Sequence, residues 1–241
     1  MAYCLQCVSN LVVMYLTNIY YEAGLLMDCV KAVIFDLDGV IVHTDVFHYK
    51  AWKALADRLS IPFSEQDNHR LRGISRMESL EIVLEKSGRE YSDEEKNGFA
   101  EEKNAKYRNY LMSMTPDDID AETLDGLKLL REKGYKLAIG SSSRNAGLIL
   151  ERVGIINLFD AISDGNNITY SKPHPEVFLK AAEFIGVEPQ HCVIVEDARA
   201  GIEAGKWAGM LTIAVGDAAL SGEADFNAAS FDDIVKVIIG T

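Results

Sequence analysis

Short apolar runs that end in charged or hydroxylated residues constrain this chain more than any other feature of its sequence. Val30-Lys31-Ala32-Val33-Ile34-Phe35 leads into Asp36-Leu37-Asp38-Gly39, Lys136-Leu137-Ala138-Ile139-Gly140 into Ser141-Ser142, and Cys192-Val193-Ile194-Val195 into Glu196-Asp197. Helical stretches separate these runs, and strands alternating with helices specify a parallel sheet with crossover helices. In open sheets of this kind, ligands sit in the crevice at the carboxyl ends of the strands. A further cation, Lys172, stands before Pro173 between two of the runs, which aims it at the same edge.

The alternation is interrupted once. The first strand ends at Asp36, and from about 46 to 114 only helical periodicity is present, including Tyr49-Lys50-Ala51-Trp52-Lys53-Ala54-Leu55. The sheet pattern then resumes: a helix over 123–133, a strand over 136–140, a helix over 146–153 and a strand over 159–163. A helix over 175–185, a strand over 192–195, a helix over 201–208, a strand over 211–215 and a closing helix over 231–239 complete it. The predicted fold is α/β, a Rossmann-like parallel-sheet core with a helical cap inserted after the first strand. Residues 28–44 and 117–241 form the expected core, 45–116 the cap, and 1–27 an N-terminal extension.

Charge narrows the function. A net charge of −13 over 241 residues argues against a nucleic-acid footprint, which needs a basic face. An anionic substrate is repelled unless the site supplies positive charge of its own. Residues 1–27 contain no Lys or Arg, so the charged start of a signal peptide is missing. Asn10, Thr17, Asn18 and Glu22 interrupt the apolar run there, so no membrane span is expected. Met27 is the candidate natural start. Cys4-Leu5-Gln6-Cys7 has no second cysteine pair and no strand–helix context, so it reads as neither a zinc site nor a redox motif. Cys29 and Cys192 are expected as free thiols in strands. A cytoplasmic monomer is the expectation.

Asp36 and Asp38 lie two apart on an extended segment, so both carboxylates can face one pocket. Such a pair suits a nucleophile or metal ligand beside a general acid/base. Gly39 lets the backbone turn directly after them. Glu196 and Asp197, arriving at the same edge, would crowd like charges that need compensation, and Mg²⁺, with its preference for hard oxygen ligands and phosphate, provides it. Acids complementing a helix dipole are the plainer reading of the second pair. Ser141 and Ser142 precede a helix, where hydroxyls and free N–H groups either bind phosphate or cap the helix.

In order, Asp36-Leu37-Asp38-Gly39-Val40, Ser141, Lys172-Pro173 and Glu196-Asp197-Ala198 resemble the four motifs of the haloacid dehalogenase superfamily. Within it, the segment from Phe35 through Thr44, His48 and Ala51-Trp52-Lys53-Ala54-Leu55 is similar to the β-phosphoglucomutase family. So are Arg72-Gly73-Ile74-Ser75-Arg76, Lys103-Asn104-x-x-Tyr107 and Ser141-Ser142-Ser143-Arg144-Asn145. Ala198 departs from the Ser common there, and Asp120-Ala121-Glu122-Thr123 from a common Pro-Gly.

The resemblance implies that Asp36 attacks a phosphoryl group while Asp38 carries the proton. Mg²⁺ would be held by the Asp36 carboxylate, the Asp38 carbonyl and Asp197, with Glu196 nearby. Ser141 and Lys172 would stabilise the transferring group, and Thr44 and His48 would lie at the hinge and cap entry, where family members couple closure to proton transfer. Arg76, helped by Lys103, would hold a distal phosphate, and His48, Trp52, Ser142, Ser143 and Asn145 would contribute to substrate binding. The implied reaction interconverts β-glucose 1-phosphate and glucose 6-phosphate through the 1,6-bisphosphate. A sugar-phosphate phosphatase is the alternative, since both pass through one aspartyl phosphate and differ in whether a sugar hydroxyl or water attacks it. A non-enzymatic sugar-phosphate-binding regulator would require a missing catalytic part, and the inventory is complete.

Overall fold

The computed structural model of the protein describes residues 27–240. The extension at 1–27 therefore lies outside the described residues except for Met27, which is buried and packs into the core. Six parallel strands make one sheet: β1 (Ala32–Phe35), β2 (Lys136–Gly140), β3 (Ala161–Ser163), β4 (Cys192–Glu196), β5 (Leu211–Ala214) and β6 (Phe226–Asn227). Their order is β3-β2-β1-β4-β5-β6. The chain runs outward from β1 to β3 and then returns to lay β4 on the other side of β1. The strand order thus reverses at β1/β4, the place where an open α/β sheet forms its binding crevice.

Both faces of the sheet are covered, which is why its strands read as continuous apolar runs. Val33 and Phe35 point into one layer with Leu137, Ile139, Val193, Val195 and the closing helix Phe231–Ile239. Phe35 stacks on Phe231 with ring centroids 5.7 Å apart. Ala32 and Ile34 point the other way, against the helix Glu176–Ile185 and Ile202. A fully buried side chain of this size contributes about 1.5–3 kcal/mol, and a one-residue slip of the central strand would drive Val33 and Phe35 into the layer shaped around Ala32 and Ile34. The register is Phe35 opposite Ile139 on one side and Val195 on the other. It brings Asp36, Ser141 and Glu196 to the same rim.

Four cap helices follow β1, namely Asp45–Arg58, Glu65–His69, Arg76–Leu84 and Asp93–Leu111, before the helix Ala121–Glu132 leads back into the sheet at β2. Three of them open with reciprocal capping boxes, Ser64 with Asp67, Ser75 with Glu78, and Ser92 with Glu95. Each box satisfies two amide donors that a helix start leaves free. These helices enclose a core of their own that includes Trp52, Leu55, Phe63, Leu80 and Val83. The return segment is fastened by Arg152, whose Nε and Nη2 donate to the Met114 carbonyl at 3.2 and 2.8 Å.

Besides three single turns of 3₁₀ helix, two elements escaped the sequence pattern, β6 and the turn of helix Gly216–Ala219. Two and four residues are too short to show a period. Cys29 is also not a strand residue: it is exposed ahead of β1, whereas Cys192 is buried in β4. Among the described residues no helix is long and apolar enough to cross a membrane.

Candidate active site

Carboxylate oxygens of Asp36, Glu196 and Asp197 lie within 4.8 Å of one another at the ends of β1 and β4. Asp36 continues β1, its N–H donating to the Val195 carbonyl at 2.9 Å. Lys172 is wholly buried beneath the group, with Nζ 2.5 Å from Asp36 Oδ1 and 2.7 Å from Glu196 Oε2. Burial alone would strip its proton, but the two carboxylates outweigh burial and hold it firmly charged. Glu196 is equally enclosed, and its other oxygen accepts the Ala198 N–H at 3.1 Å.

One lysine does not balance three acids. Burial, then Glu196 and Asp36, push the Asp197 carboxyl up to about 9. Burial and Asp36 raise Glu196 to about 7 despite Lys172. Carboxylates displaced this far are short of positive charge, and an all-oxygen set of this spacing fits a small hard cation such as Mg²⁺. The backbone is shaped around the cluster. Gly39 has φ +93°, and a Cβ there would fall 2.2 Å from Asp197 Oδ2. A Cβ on Gly201 would fall 2.0 Å from the Glu196 carboxylate.

Asp38 turns its carboxyl away from the cluster and accepts a hydrogen bond from Thr44 Oγ1. That leaves its main-chain carbonyl as the group it could offer a cation. Burial and the nearby Asp36 raise the Asp38 carboxyl to about 7, a value suited to taking and giving a proton near neutrality. Thr44 is fully buried and accepts from Tyr107 Oη at 3.3 Å.

A cavity of about 600 Å³ opens above these groups. Its floor includes Asp36, Asp38, Asp197 and Ser141, and its roof includes His48, Trp52, Arg76 and Lys103 from the helices after β1. Lys103 is buried among Trp52 and Tyr107, with Nζ 3.0 Å from His48 Nδ1. Burial and Arg76 lower its pKa to about 7. Burial, Lys103 and Arg76 hold His48 well below its usual value, so it faces the cavity uncharged.

Ser142, Ser143 and Asn145 line the side wall, but their polar groups are already engaged. Ser142 Oγ donates to the Gly73 carbonyl at 3.1 Å, and Ser143 Oγ accepts the Asn145 N–H at 3.2 Å. Asn145 Oδ1 accepts from Arg108, and its amide nitrogen donates to Asn104. Ser141 lines the cavity and its Oγ accepts the Ser143 N–H at 3.1 Å within the loop. The following helix Ala146–Arg152 starts at Asn145 without a side-chain cap, so the capping reading does not hold for Ser141 or Ser142. Thr44, Lys172 and Glu196 stand behind the cavity wall. Arg72 and Arg144 also line the cavity, and sequence reasoning had given them no role of their own. Their signal was present, since each is a basic residue inside a segment already singled out.

A strand-end carboxylate, a second carboxyl poised near neutrality, a buried lysine and a metal-type acid cluster together suit phosphoryl transfer. Residues 30–209 match the haloacid dehalogenase-like hydrolase family, and the chain belongs to it. Its enzymatic class is that of magnesium-dependent phosphotransferases working through an aspartyl phosphate.

The chain is 45% identical over 188 residues to the Beta-phosphoglucomutase of Bacillus subtilis, covering 77% of this chain and 83% of that one. It is 30% identical over 182 residues to the Phosphorylated carbohydrates phosphatase of Thermotoga maritima, covering 75% and 82%. The crystal structure of beta-Phosphoglucomutase from Clostridium difficile superposes with a TM-score of 0.81. It is 37% identical, covering 88% of this chain and 98% of that one.

Proposed function

We propose that the protein interconverts β-glucose 1-phosphate and glucose 6-phosphate through the 1,6-bisphosphate. The observation that carries this reading is the facing of two charge sets across one cavity. Asp36, Asp38 and Asp197 lie on the floor with Lys172 buried behind them, and Arg76 and Lys103 lie on the roof beside a neutral His48. Hydrolysis of a phosphate monoester requires only one phosphate site. A second, distal phosphate gives the roof cations something to bind. The 45% identity to a beta-phosphoglucomutase supports the same reading.

Asp36 is the proposed nucleophile. Its free oxygen attacks phosphorus in line, the bond to the donor oxygen breaks, and the phosphoryl group is left on Asp36. Lys172 holds the other Asp36 oxygen and sets the direction of attack. Asp38 gives its proton to the departing sugar oxygen and recovers it from the incoming hydroxyl, while Thr44 fixes its carboxyl. Ser141 faces the transferring oxygens. Asp36, Asp197, Glu196 and the Asp38 carbonyl would hold Mg²⁺, which neutralises charge on the transferring phosphoryl. Arg76, with Lys103, binds the distal phosphate. His48 and Trp52 shape the roof, and Ser142, Ser143 and Asn145 shape the wall. Anion binding beside Lys103 favours its charged form, so substrate arrival supplies a cation that the empty roof holds only in part.

Incubation with β-glucose 1-phosphate, Mg²⁺ and a trace of the 1,6-bisphosphate tests the proposal. Glucose 6-phosphate is the expected product. Inorganic phosphate alone would favour the second reading, a sugar-phosphate phosphatase, which the 30% identity to a carbohydrate-phosphate phosphatase supports.

A further inference from the structure

Arg76 stands among cations. It is the first residue of the helix Arg76–Leu84, the end where free N–H groups favour an anion and disfavour a positive side chain. Burial lowers its pKa, Glu101 opposes that, and Arg144 and Arg108 add to the lowering. Lys103 lies on the same roof. Glu78, the acid in the same turn of helix, is spent on the Ser75 N–H at 2.9 Å.

Among the described residues the ion-pair partner of Arg76 is Glu101, whose Oε1 lies 3.1 Å from Arg76 Nη1. Glu101 comes from the neighbouring helix Asp93–Leu111, two residues ahead of Lys103, and lines the cavity with Arg76. The two side chains are held differently. Arg76 is 18% exposed, while Glu101 is 73% exposed and free to turn toward water. The proposed chemistry gives Glu101 nothing to do, yet its carboxylate occupies a donor that a distal phosphate would use.

The proposed reaction sets a limit on that donor. When the phosphorylated enzyme gives its group to the sugar, the sugar's own phosphate is the one on the roof. That phosphate must next be delivered to Asp36, so it leaves Arg76 in every turnover. A roof that holds it too tightly slows release and lowers KM and kcat together.

We propose that Glu101 is the counter-ion that trades places with the distal phosphate on Arg76. It occupies the guanidinium while the roof is empty, yields it to the incoming dianion, and reclaims it as the bisphosphate leaves. The inference deepens the mutase reading and rests on it. Carboxylate and phosphate beside one guanidinium repel each other, and an ion pair with one exposed partner is weak enough to exchange. Glu101 thereby sets how tightly the second phosphate is held without touching the reacting atoms.

The test is binding of glucose 6-phosphate in EDTA, followed by isothermal titration. Without Mg²⁺ the acids of the floor repel a phosphate, so the roof is where it binds. Glu101→Gln keeps the size and removes the charge, and should bind about two- to fivefold tighter. Glu101→Ala should bind tighter as well. A residue that merely held Arg76 in place would give the opposite sign in both variants. Glu102→Gln is the control, since Glu102 pairs with Arg58 at 2.7 Å away from the cavity, and it should bind as the parent does.

In turnover of β-glucose 1-phosphate, Glu101→Gln should lower KM and kcat together, while hydrolysis of a small aryl phosphate stays unchanged. Glu101 is exposed, so its variants keep the fold. Weaker or unchanged binding in Glu101→Gln, or equal tightening in Glu102→Gln, would overturn the proposal. Failure of the mutase reading is seen separately, as release of inorganic phosphate alone when the parent is given β-glucose 1-phosphate.

Discussion

Lys172 and Lys103 are both buried lysines, and their surroundings give them opposite properties. Lys172 sits between Asp36 and Glu196, and the charges complete one another. Replacing it with Met would leave two enclosed carboxylates without a partner. Loss of one member of a buried pair costs about 3–5 kcal/mol, so Lys172→Met should lose that much in a urea or guanidinium denaturation series. A change below about 0.5 kcal/mol, the ordinary surface range, would contradict the assignment.

Lys103 has aromatic rings and a neutral imidazole around it, and burial lowers its pKa from the usual 10.5 of a lysine to about 7. Below pH 7 it is charged in both folded and unfolded states, and the folded state bears the full cost of burying the charge. Between pH 7 and 10.5 the unfolded chain binds the extra proton, so stability rises with pH and the cost is relieved. Lys103→Met should therefore melt higher than the parent at pH 6, with the gap closing toward pH 10. A gap that does not change with pH would refute the buried-charge account.

At the scale of elements, the helix after β4 shows how the backbone shapes the cluster. Gly201 lies inside the helix Arg199–Trp207, where Ala would ordinarily gain about 1 kcal/mol over Gly. Here the new methyl would meet the Glu196 carboxylate at 2.0 Å. Gly201→Ala should instead destabilise by about 1–3 kcal/mol and weaken magnesium affinity, read by denaturation and by isothermal titration. A stabilised variant with unchanged metal affinity would show that Glu196 is not held in place by that close approach.

The elements that could be read from sequence are those with enough residues to show a period. β2 and the closing helix Phe231–Ile239 stand at the expected residues, and the helices after β1 fall where the strand pattern stops. Their capping serines were equally visible as Ser-x-x-Asp/Glu, but they mark boundaries rather than function. The acid cluster was legible because each acid ends an apolar run, and strand ends in a parallel sheet share one rim.

At the scale of the molecule, what sequence could not give is how the roof meets the floor. The pairing of Arg72 with Asp217 spans 145 residues and leaves no local pattern. Nor does the burial that sets the properties of Lys103, since its neighbours Trp52 and His48 belong to a different helix. The division between floor and roof carries its own prediction. Arg76→Ala should lower turnover of a phosphorylated sugar by at least about tenfold, while hydrolysis of a small aryl phosphate changes by less than about twofold. Equal losses on both substrates would remove the distal-phosphate role.

The proposed chemistry depends on a phosphoryl group being transferred to one carboxylate at the rim between β1 and β4. The direct measurement is to trap the enzyme during turnover with Mg²⁺ and a phosphoryl donor, reduce the acyl phosphate with borohydride, and map the modified residue by mass spectrometry. Modification at Asp36, dependent on Mg²⁺ and lost in Asp36→Asn, is the predicted result. A phosphoryl group on any other residue, or one that persists in Asp36→Asn, would contradict it.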